Sequence, residues 1–278
     1  MREKHDVTYI ISGEDVASLN IGRALIGEAG LSVKEKAEGY VHYSGNGCNA
    51  VSIPGIHIHA EGLDRKIGSL FGLELRMLVF LSTHRSESGA PAATLHPLGN
   101  FGEPLLGGGG RLLVPSAAAH MTGRLMRMKH AFAGSRYAVT FEATHHGPLV
   151  GVPAMFAEIG SDESAWKDSK AALDIAKALL HGSDAEGDIA IGVGGGHYCP
   201  RFTDLALKRK LVFSHFVPNH QLGLIDEGMA DEIVEKSGDA RLAVAHRSKG
   251  YAGEVDRVCG LLEKRGLSVT DGSDVQER

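Results

Sequence analysis

A chain of 278 residues, 43% hydrophobic and 23% charged, has the composition of an ordinary globular protein and enough material for one large core. The opening Met1-Arg-Glu-Lys-His-Asp has no apolar h-region, and the longest apolar runs, such as Met77-Leu-Val-Phe-Leu81, are of strand length, so neither a membrane anchor nor a signal peptide is expected. Three scattered cysteines, Cys48, Cys199 and Cys259, exclude a disulfide framework and point to a reducing, cytoplasmic setting; a net charge of −5 excludes general attraction to nucleic acid, so a polyanion must meet a local basic patch.

In chain order, residues 6–11 read as a first strand, Ser12-Gly-Glu-Asp as a turn, and residues 16–28 as a helix closed by Gly30. Residues 40–43 and 51–60 are expected to pair as strands across Ser44-Gly-Asn-Gly, with His57 and His59 alternating with Ile56 and Ile58. That His-x-His suits a metal or a half-exposed strand. A helix is predicted over 63–72 and a buried strand over 74–81, which opens into Ser82-Thr-His-Arg-Ser86. Residues 88–115, with His96 before Pro97 and glycines at 107–110, read as a long irregular tract able to form a lid or a substrate wall.

Residues 116–130 are predicted as a helix with Ser116 at its N-cap, carrying His120 and the basic set Arg124, Arg127 and Lys129. Alternation over 137–144 predicts a strand that places Glu142, Thr144 and His146 on one face and His145 on the other. An apolar segment over 153–159 and a helix over 165–181 follow, then a strand over 188–193 that empties into Gly194-Gly-Gly-His-Tyr-Cys-Pro-Arg-Phe-Thr203. A short helix over 205–210, a strand edge over 211–214, a polar exit over 215–220, a helix over 225–236, a strand over 241–246 and a helix over 252–264 complete the chain. Alternating strands and helices predict one α/β domain over residues 1–278, a three-layer α/β/α fold with a mostly parallel or mixed sheet. Ligands in such folds sit beyond strand ends, and four strands here exit into polar motifs expected to converge on one rim.

The densest of these, Phe141-Glu-Ala-Thr-His-His-Gly-Pro148, packs a carboxylate, a hydroxyl and two imidazoles together, a set suited to a metal or a proton relay. Gly194, Gly195 and Gly196 offer backbone amides for an oxyanion or phosphate, without the P-loop lysine or the dinucleotide glycine spacing. Cys199 lies two residues from His197, within reach of a shared metal, and no motif supports it as a nucleophile. Residues alone therefore predict a metal-assisted hydrolase of unspecified bond.

Taken together, Ser82-Thr-His-Arg-Ser86, His96-Pro-Leu-Gly-Asn-Phe-Gly102, the 141–148 cluster, Gly192-Val-Gly-Gly-Gly-His-Tyr-Cys-Pro-Arg-Phe202 and His215-Phe-Val-Pro-Asn-His220 resemble the archaeal and plant type of D-aminoacyl-tRNA deacylase. The resemblance runs from the first strand to about His246. It implies a zinc-dependent esterase that removes a D-amino acid from the 3′ end of tRNA, acting in the cytoplasm with no membrane and no obligate protein partner, on a fold similar to the phosphorylases and peptidyl-tRNA hydrolases. Under it, the zinc ligands come from His84, His145, His146 and His197; Glu142, as ligand or general base, His145 and His197 are catalytic; the amides of Gly194, Gly195 and Gly196, or Arg85, face the oxyanion; the terminal adenosine stacks on Tyr198 or Phe202; and the basic helix with Arg124 and Arg127 carries the acceptor stem. Two other classes fit the residues: a zinc-dependent peptidase or amidohydrolase of small substrates, and a non-enzymatic RNA-binding protein.

Overall fold

The computed structural model describes residues 4–87 and 89–278. In chain order its elements are β1 (Lys4–His5), β2 (Thr8–Ser12), α1 (Val16–Ala29), β3 (Ser32–Ala37), β4 (Tyr40–Gly45), β5 (Cys48–Ile53), α2 (Leu63–Phe71), β6 (Glu74–Leu75), β7 (Leu78–Thr83) and β8 (Ala92–His96). There follow α3 (Ala118–Ala131), β9 (Ala138–Phe141), β10 (Ala154–Gly160), α4 (Glu163–Trp166), α5 (Ser169–His181), β11 (Asp188–Gly194), α6 (Pro200–Lys208), β12 (Leu211–Val217), α7 (Glu227–Lys236), β13 (Leu242–His246), α8 (Ala252–Glu263) and β14 (Ser268–Thr270).

Aspartates start several helices by accepting orphan amides: Asp15 from Ser18, Asp168 from Lys170 and Ala171, and Asp226 from Met229. An eight-stranded mixed sheet runs β3-β4-β5-β2-β7-β10-β8-β9, and a separate parallel sheet runs β12-β11-β13-β14. Alternate residues of the central strands feed two cores. Tyr9, Ile11, Val79 and Leu81 pack with Ile21 and Leu25 of α1, Leu125 of α3 and Leu179 of α5. Ile10, Leu78 and Phe80 pack on the opposite face with Leu63 and Ile67 of α2. The expected α/β architecture with helices on both faces is present. Among the described residues, no helix is long and apolar enough to cross a membrane.

Several local expectations differ from the structure. The single sheet is divided in two, and the segment after β9 joins the halves: Thr144 N–H donates to Phe216 O (3.1 Å), and Phe216 N–H donates to Thr144 Oγ1 (2.9 Å). The strand expected over 51–60 stops at Ile53, because Pro54 has no ladder donor, and His57–His59 form a 3-10 turn. The tract over 88–115 contains β8, which lies inside the large sheet between β10 and β9. Ser116 does not cap α3: the cap position is Ala117, and the Ser116 amide is used on Lys236 O. The short helix begins at Pro200 instead of 205, and β12 continues to Val217, which draws His215 into a buried strand.

Candidate active site

The site lies where the two sheets meet. β7 delivers His84 and Arg85, β8 ends on His96, the exit of β9 carries Glu142, His145 and His146, β10 contributes Glu158, and the exit of β11 carries His197. Regular β geometry ends at Phe141, so the alternation expected through Thr144 fails. Glu142 forms an isolated bridge with Tyr198, Thr144 turns toward β12, and His145 comes to lie 3.7 Å from the Glu142 carboxylate. His146 has φ of 44°, and the next residue is a glycine at which a Cβ would stand 2.1 Å from the Gly108 amide. The 105–110 loop therefore presses directly on this segment, held by Gly147 N–H to Leu106 O (3.1 Å) and Gly108 N–H to Glu61 Oε1 (2.6 Å).

Two carboxylates sit at the bottom of the site, Glu142 with 0% and Glu158 with 3% of its surface exposed. Buried charge needs compensation. His84 supplies it: Nδ1 is 3.0 Å from Glu142 Oε1 and 3.4 Å from Glu158 Oε2, while Nε2 hydrogen-bonds the Tyr198 hydroxyl at 2.6 Å. Burial alone lowers the His84 pKa, but the two carboxylates outweigh it and raise it to about 11. Burial pushes Glu142 the other way, and its contacts with His197 and His84 hold its carboxyl well below the usual range. His197 Nε2–H donates to Glu142 Oε2 at 3.0 Å, and 44% of the His197 side chain is exposed to solvent.

A second group consists of imidazoles. His96, His145 and His146 each place Nδ1 against a backbone carbonyl, of Pro97 (3.1 Å), Ala143 (2.8 Å) and Gly147 (2.8 Å) respectively. A carbonyl only accepts, so each Nδ1 carries the hydrogen; the Nε2 atoms of His145 and His146 keep their lone pairs, while that of His96 faces Glu158 Oε1 at 3.6 Å, a contact that raises the His96 pKa against its burial. The three rings offer nitrogens within 4.8 Å of one another, and the 3.6 Å from the buried His96 Nε2 to Glu158 Oε1 is beyond hydrogen-bond length. Burial, together with the positive charge that Glu158 favours on His96, lowers the pKa of His145 strongly and that of His146 to about 4, keeping both neutral. Such a set can hold a metal, with backbone partners orienting the rings. In the two other clusters of suitable spacing, Glu142 with His145 and His197, and His84 with Glu142 and Glu158, His84 and His197 are bound to Glu142 at 3.0 Å, whereas His96 and His145 stand 3.6 and 3.7 Å from Glu158 and Glu142.

Two cavities open at this floor. The larger, about 530 Å³, is walled by Asp15, Ile58, Arg85, Leu106 and Trp166; the smaller, about 240 Å³, by Phe101, Leu105, Gln221 and Leu224. His145 and His197 line both.

A sequence profile described as D-aminoacyl-tRNA deacylase matches residues 71–270. A protein of that name from Methanosarcina mazei is 37% identical, the alignment covering 98% of this chain and 94% of the relative. The chain belongs to the D-aminoacyl-tRNA deacylase family. Another deacylase of that name, from Thermococcus onnurineus, is 32% identical over 91% of this chain and 95% of its own length. A solved structure described as a conserved protein of unknown function, AF0625, superposes with a TM-score of 0.91 at 25% identity, covering 100% of this chain and 99% of its own.

For this deacylase-family chain, the structure brings His84, Arg85, Glu142, His145, His146 and His197 together, as their strand exits suggest, and separates others. Phe202 is 1% exposed and packs among Phe213 and Phe216, so no base can stack on it. Arg124 is buried against Asp184 (3.8 Å) and faces no acceptor stem, whereas Arg127 is exposed. Gly195 N–H is taken by Asn219 Oδ1 (3.0 Å), a Cβ at Gly194 would lie 2.3 Å from His246 O, and none of Gly194 to Gly196 lines either cavity. Gly194 and Gly195 serve close packing against His246 at the end of β13 more than an oxyanion, and Gly196 is exposed. Tyr198 meets the site through its hydroxyl on His84. The Cys199 thiol is buried and its pKa is pushed up by that burial, which disfavours a thiolate nucleophile. His215 is structural, donating Nε2–H to Val114 O (3.1 Å) and accepting from Thr144 Oγ1 (3.1 Å).

Two residues escaped sequence reasoning. His96 reads as part of an irregular tract because Pro91 and Pro97 flank its short strand. Glu158 had a visible signal, a lone carboxylate in the otherwise apolar Ala154-Met-Phe-Ala-Glu-Ile-Gly160.

Proposed function

We infer that this site hydrolyses the ester between a D-amino acid and the 3′ end of tRNA, with zinc held by His96, His145 and His146. The observation that carries the metal assignment is three imidazoles with ligand nitrogens within 4.8 Å of one another, each Nδ1 turned to a backbone carbonyl, with Glu158 Oε1 3.6 Å from the buried Nε2 of His96. Zinc takes neutral imidazole nitrogen readily, and when bound it supplies Lewis acidity that polarises a carbonyl and lowers the pKa of water to about 7. Two of the four ligands expected from the resemblance, His145 and His146, remain in this set; His84 and His197 leave it because each is committed to Glu142.

The remaining residues have separable tasks. His197, exposed and hydrogen-bonded through Nε2–H to Glu142, keeps Nδ1 as an acceptor. It takes a proton from water as the water oxygen attacks the ester carbonyl carbon. The tetrahedral intermediate then collapses, the bond from carbon to the ribose oxygen breaks, and His197 returns the proton to that oxygen. Glu142 stabilises the imidazolium formed in between, and His84 holds Glu142 ionised and in place. Arg85, over the Trp166 ring at 4.9 Å, borders the acyl side. The reading implies action on aminoacyl-tRNA in the cytoplasm.

The test is hydrolysis of D-tyrosyl-tRNA and L-tyrosyl-tRNA in parallel, before and after chelation and again with zinc restored. Cleavage of the D-ester alone, lost on chelation and regained with zinc, is the expected result. Equal cleavage of both esters, or D-selective cleavage that survives removal of all metal, overturns it.

A further inference from the structure

The two cavities share only His145 and His197 among their walls. If the ester is cut at those side chains, the two halves of the substrate must leave in opposite directions, one into each cavity. The halves differ in charge and shape. The acyl half carries an ammonium and a side chain; the tRNA half carries a flat base and phosphodiesters.

The cavity walls differ in the same sense. Glu14, Asp15 and Glu158 line the larger cavity against two cations, Arg85 and the His84 imidazole that pairs with Glu158, a wall still acidic in balance that favours an ammonium over a phosphodiester. Its volume of about 530 Å³ and the apolar surfaces of Ile58, Leu106 and Trp166 suit side chains of varied size. The smaller cavity has one carboxylate, Glu103, and is bordered by Leu105, Leu224 and Phe101, with Gln221 and Asn100 as amides. Leu105 is 89% and Leu224 43% exposed, although neither is covered by another part of the chain. Exposed apolar side chains beside side-chain amides fit a base, which takes van der Waals contact on its faces and hydrogen bonds along its edge.

We propose that the terminal adenosine of the tRNA occupies the smaller cavity between Leu105 and Leu224, and the aminoacyl group the larger one, with the ester at His145 and His197. The proposal rests on the deacylase reading above and adds the direction in which substrate lies. Adenosine recognition thereby falls to Leu105, Gln221 and Leu224 instead of Phe202.

The experiment has a binding arm and a kinetic arm. Adenosine 5′-monophosphate is titrated by calorimetry into the wild-type protein and into Leu105→Asp, Gln221→Ala and Ile58→Ala variants. Affinity should fall about tenfold in the first two, the scale of one lost base contact, and by less than twofold in Ile58→Ala. In the kinetic arm, kcat/KM on D-tyrosyl-tRNA should fall in Leu105→Asp by about tenfold more than on D-tyrosine methyl ester, which has no adenosine, and through KM. Leu105 is almost wholly exposed, so its substitution leaves folding intact, and circular dichroism checks this. Loss of nucleotide binding in Ile58→Ala with none in Leu105→Asp reverses the assignment and overturns the proposal, as does an equal loss on both esters. If the wild type cleaves neither ester, the deacylase reading fails, and the calorimetric arm alone still decides where the nucleotide binds.

Discussion

His84 Nδ1 stands 3.0 Å from Glu142 Oε1, and both side chains are buried. The same imidazole lies 3.4 Å from Glu158, so one cation bridges two buried carboxylates, with His96 at 3.6 Å as a second partner of Glu158 alone. Truncating it leaves the carboxylates short of compensating charge, a change that costs about 3–5 kcal/mol in buried pairs. His84→Ala is therefore expected to lower the urea midpoint by a corresponding amount. Adding Glu158→Gln to that variant removes one of the stranded charges and should restore part of the loss. Strict additivity of the two substitutions in chemical denaturation would contradict the coupling.

A different histidine sets a slope in the pH dependence of stability. His120, 3% exposed on α3, has its pKa lowered by burial and by the Arg124 charge to about 4, despite Asp184 at 3.0 Å. Its folded value lies below the ordinary 6.5, so the folded state favours the neutral ring. The stability this contributes is present above pH 6.5 and is lost as pH falls from 6.5 toward 4, by at most about 3 kcal/mol. In His120→Asn that loss is absent. The stability difference between wild type and variant should narrow in the variant's favour across this window and stay constant above it; a constant difference from pH 7 to pH 4 would rule out the assignment.

Much of the site is legible in sequence because strand exits carry it. The buried runs before Ser82 and before Gly194, and the alternating run before Glu142, announce where strands end, and polar residues at those ends converge as α/β topology requires. What sequence did not reveal depends on partners distant in the chain. Glu142 and His145 reach the same site only because Thr144 bonds to Phe216 and pulls the segment out of β geometry. The burial of Arg124 depends on packing against the loop after α5, where Asp184 lies, and a basic helix gives no sign of that. His96 belongs to an interior strand paired on both sides, but five residues between Pro91 and Pro97 look like loop until their neighbours are known. β3, exposed along most of its length, has too little apolar pattern to be read as a strand.

Phe202 and Arg127 separate stability from substrate binding. Phe202 stacks within 5.3 Å of Phe213 and 5.5 Å of Phe216, so Phe202→Ala opens a cavity and should cost about 3–5 kcal/mol in unfolding free energy. The KM of the folded fraction for tRNA should be unaltered. Arg127 is exposed, and if α3 runs along the acceptor stem, Arg127→Glu weakens tRNA binding without a change in Tm and reduces the slope of log affinity against log salt by about 1. A filter-binding series at several salt concentrations measures this; an unchanged slope removes α3 from the tRNA footprint.

Metal content decides between His96 and the two histidines bound to Glu142. With ligands from His96, His145 and His146, the purified protein should carry one zinc per chain by elemental analysis, and chelation should lower Tm because the metal binds the folded state. At zinc one hundred times its dissociation constant, that stabilisation is about 2.7 kcal/mol. His96→Ala removes a buried ligand and should abolish stoichiometric zinc and the effect of chelator on Tm together. His197→Ala, which removes the partner of Glu142, should retain zinc and its effect on Tm while losing about 10²–10⁴-fold in kcat, the range for a proton-transfer group. If His197→Ala or His84→Ala loses the metal while His96→Ala keeps it, the zinc belongs at the Glu142 cluster, and the proton-transfer role assigned to His197 falls with the assignment.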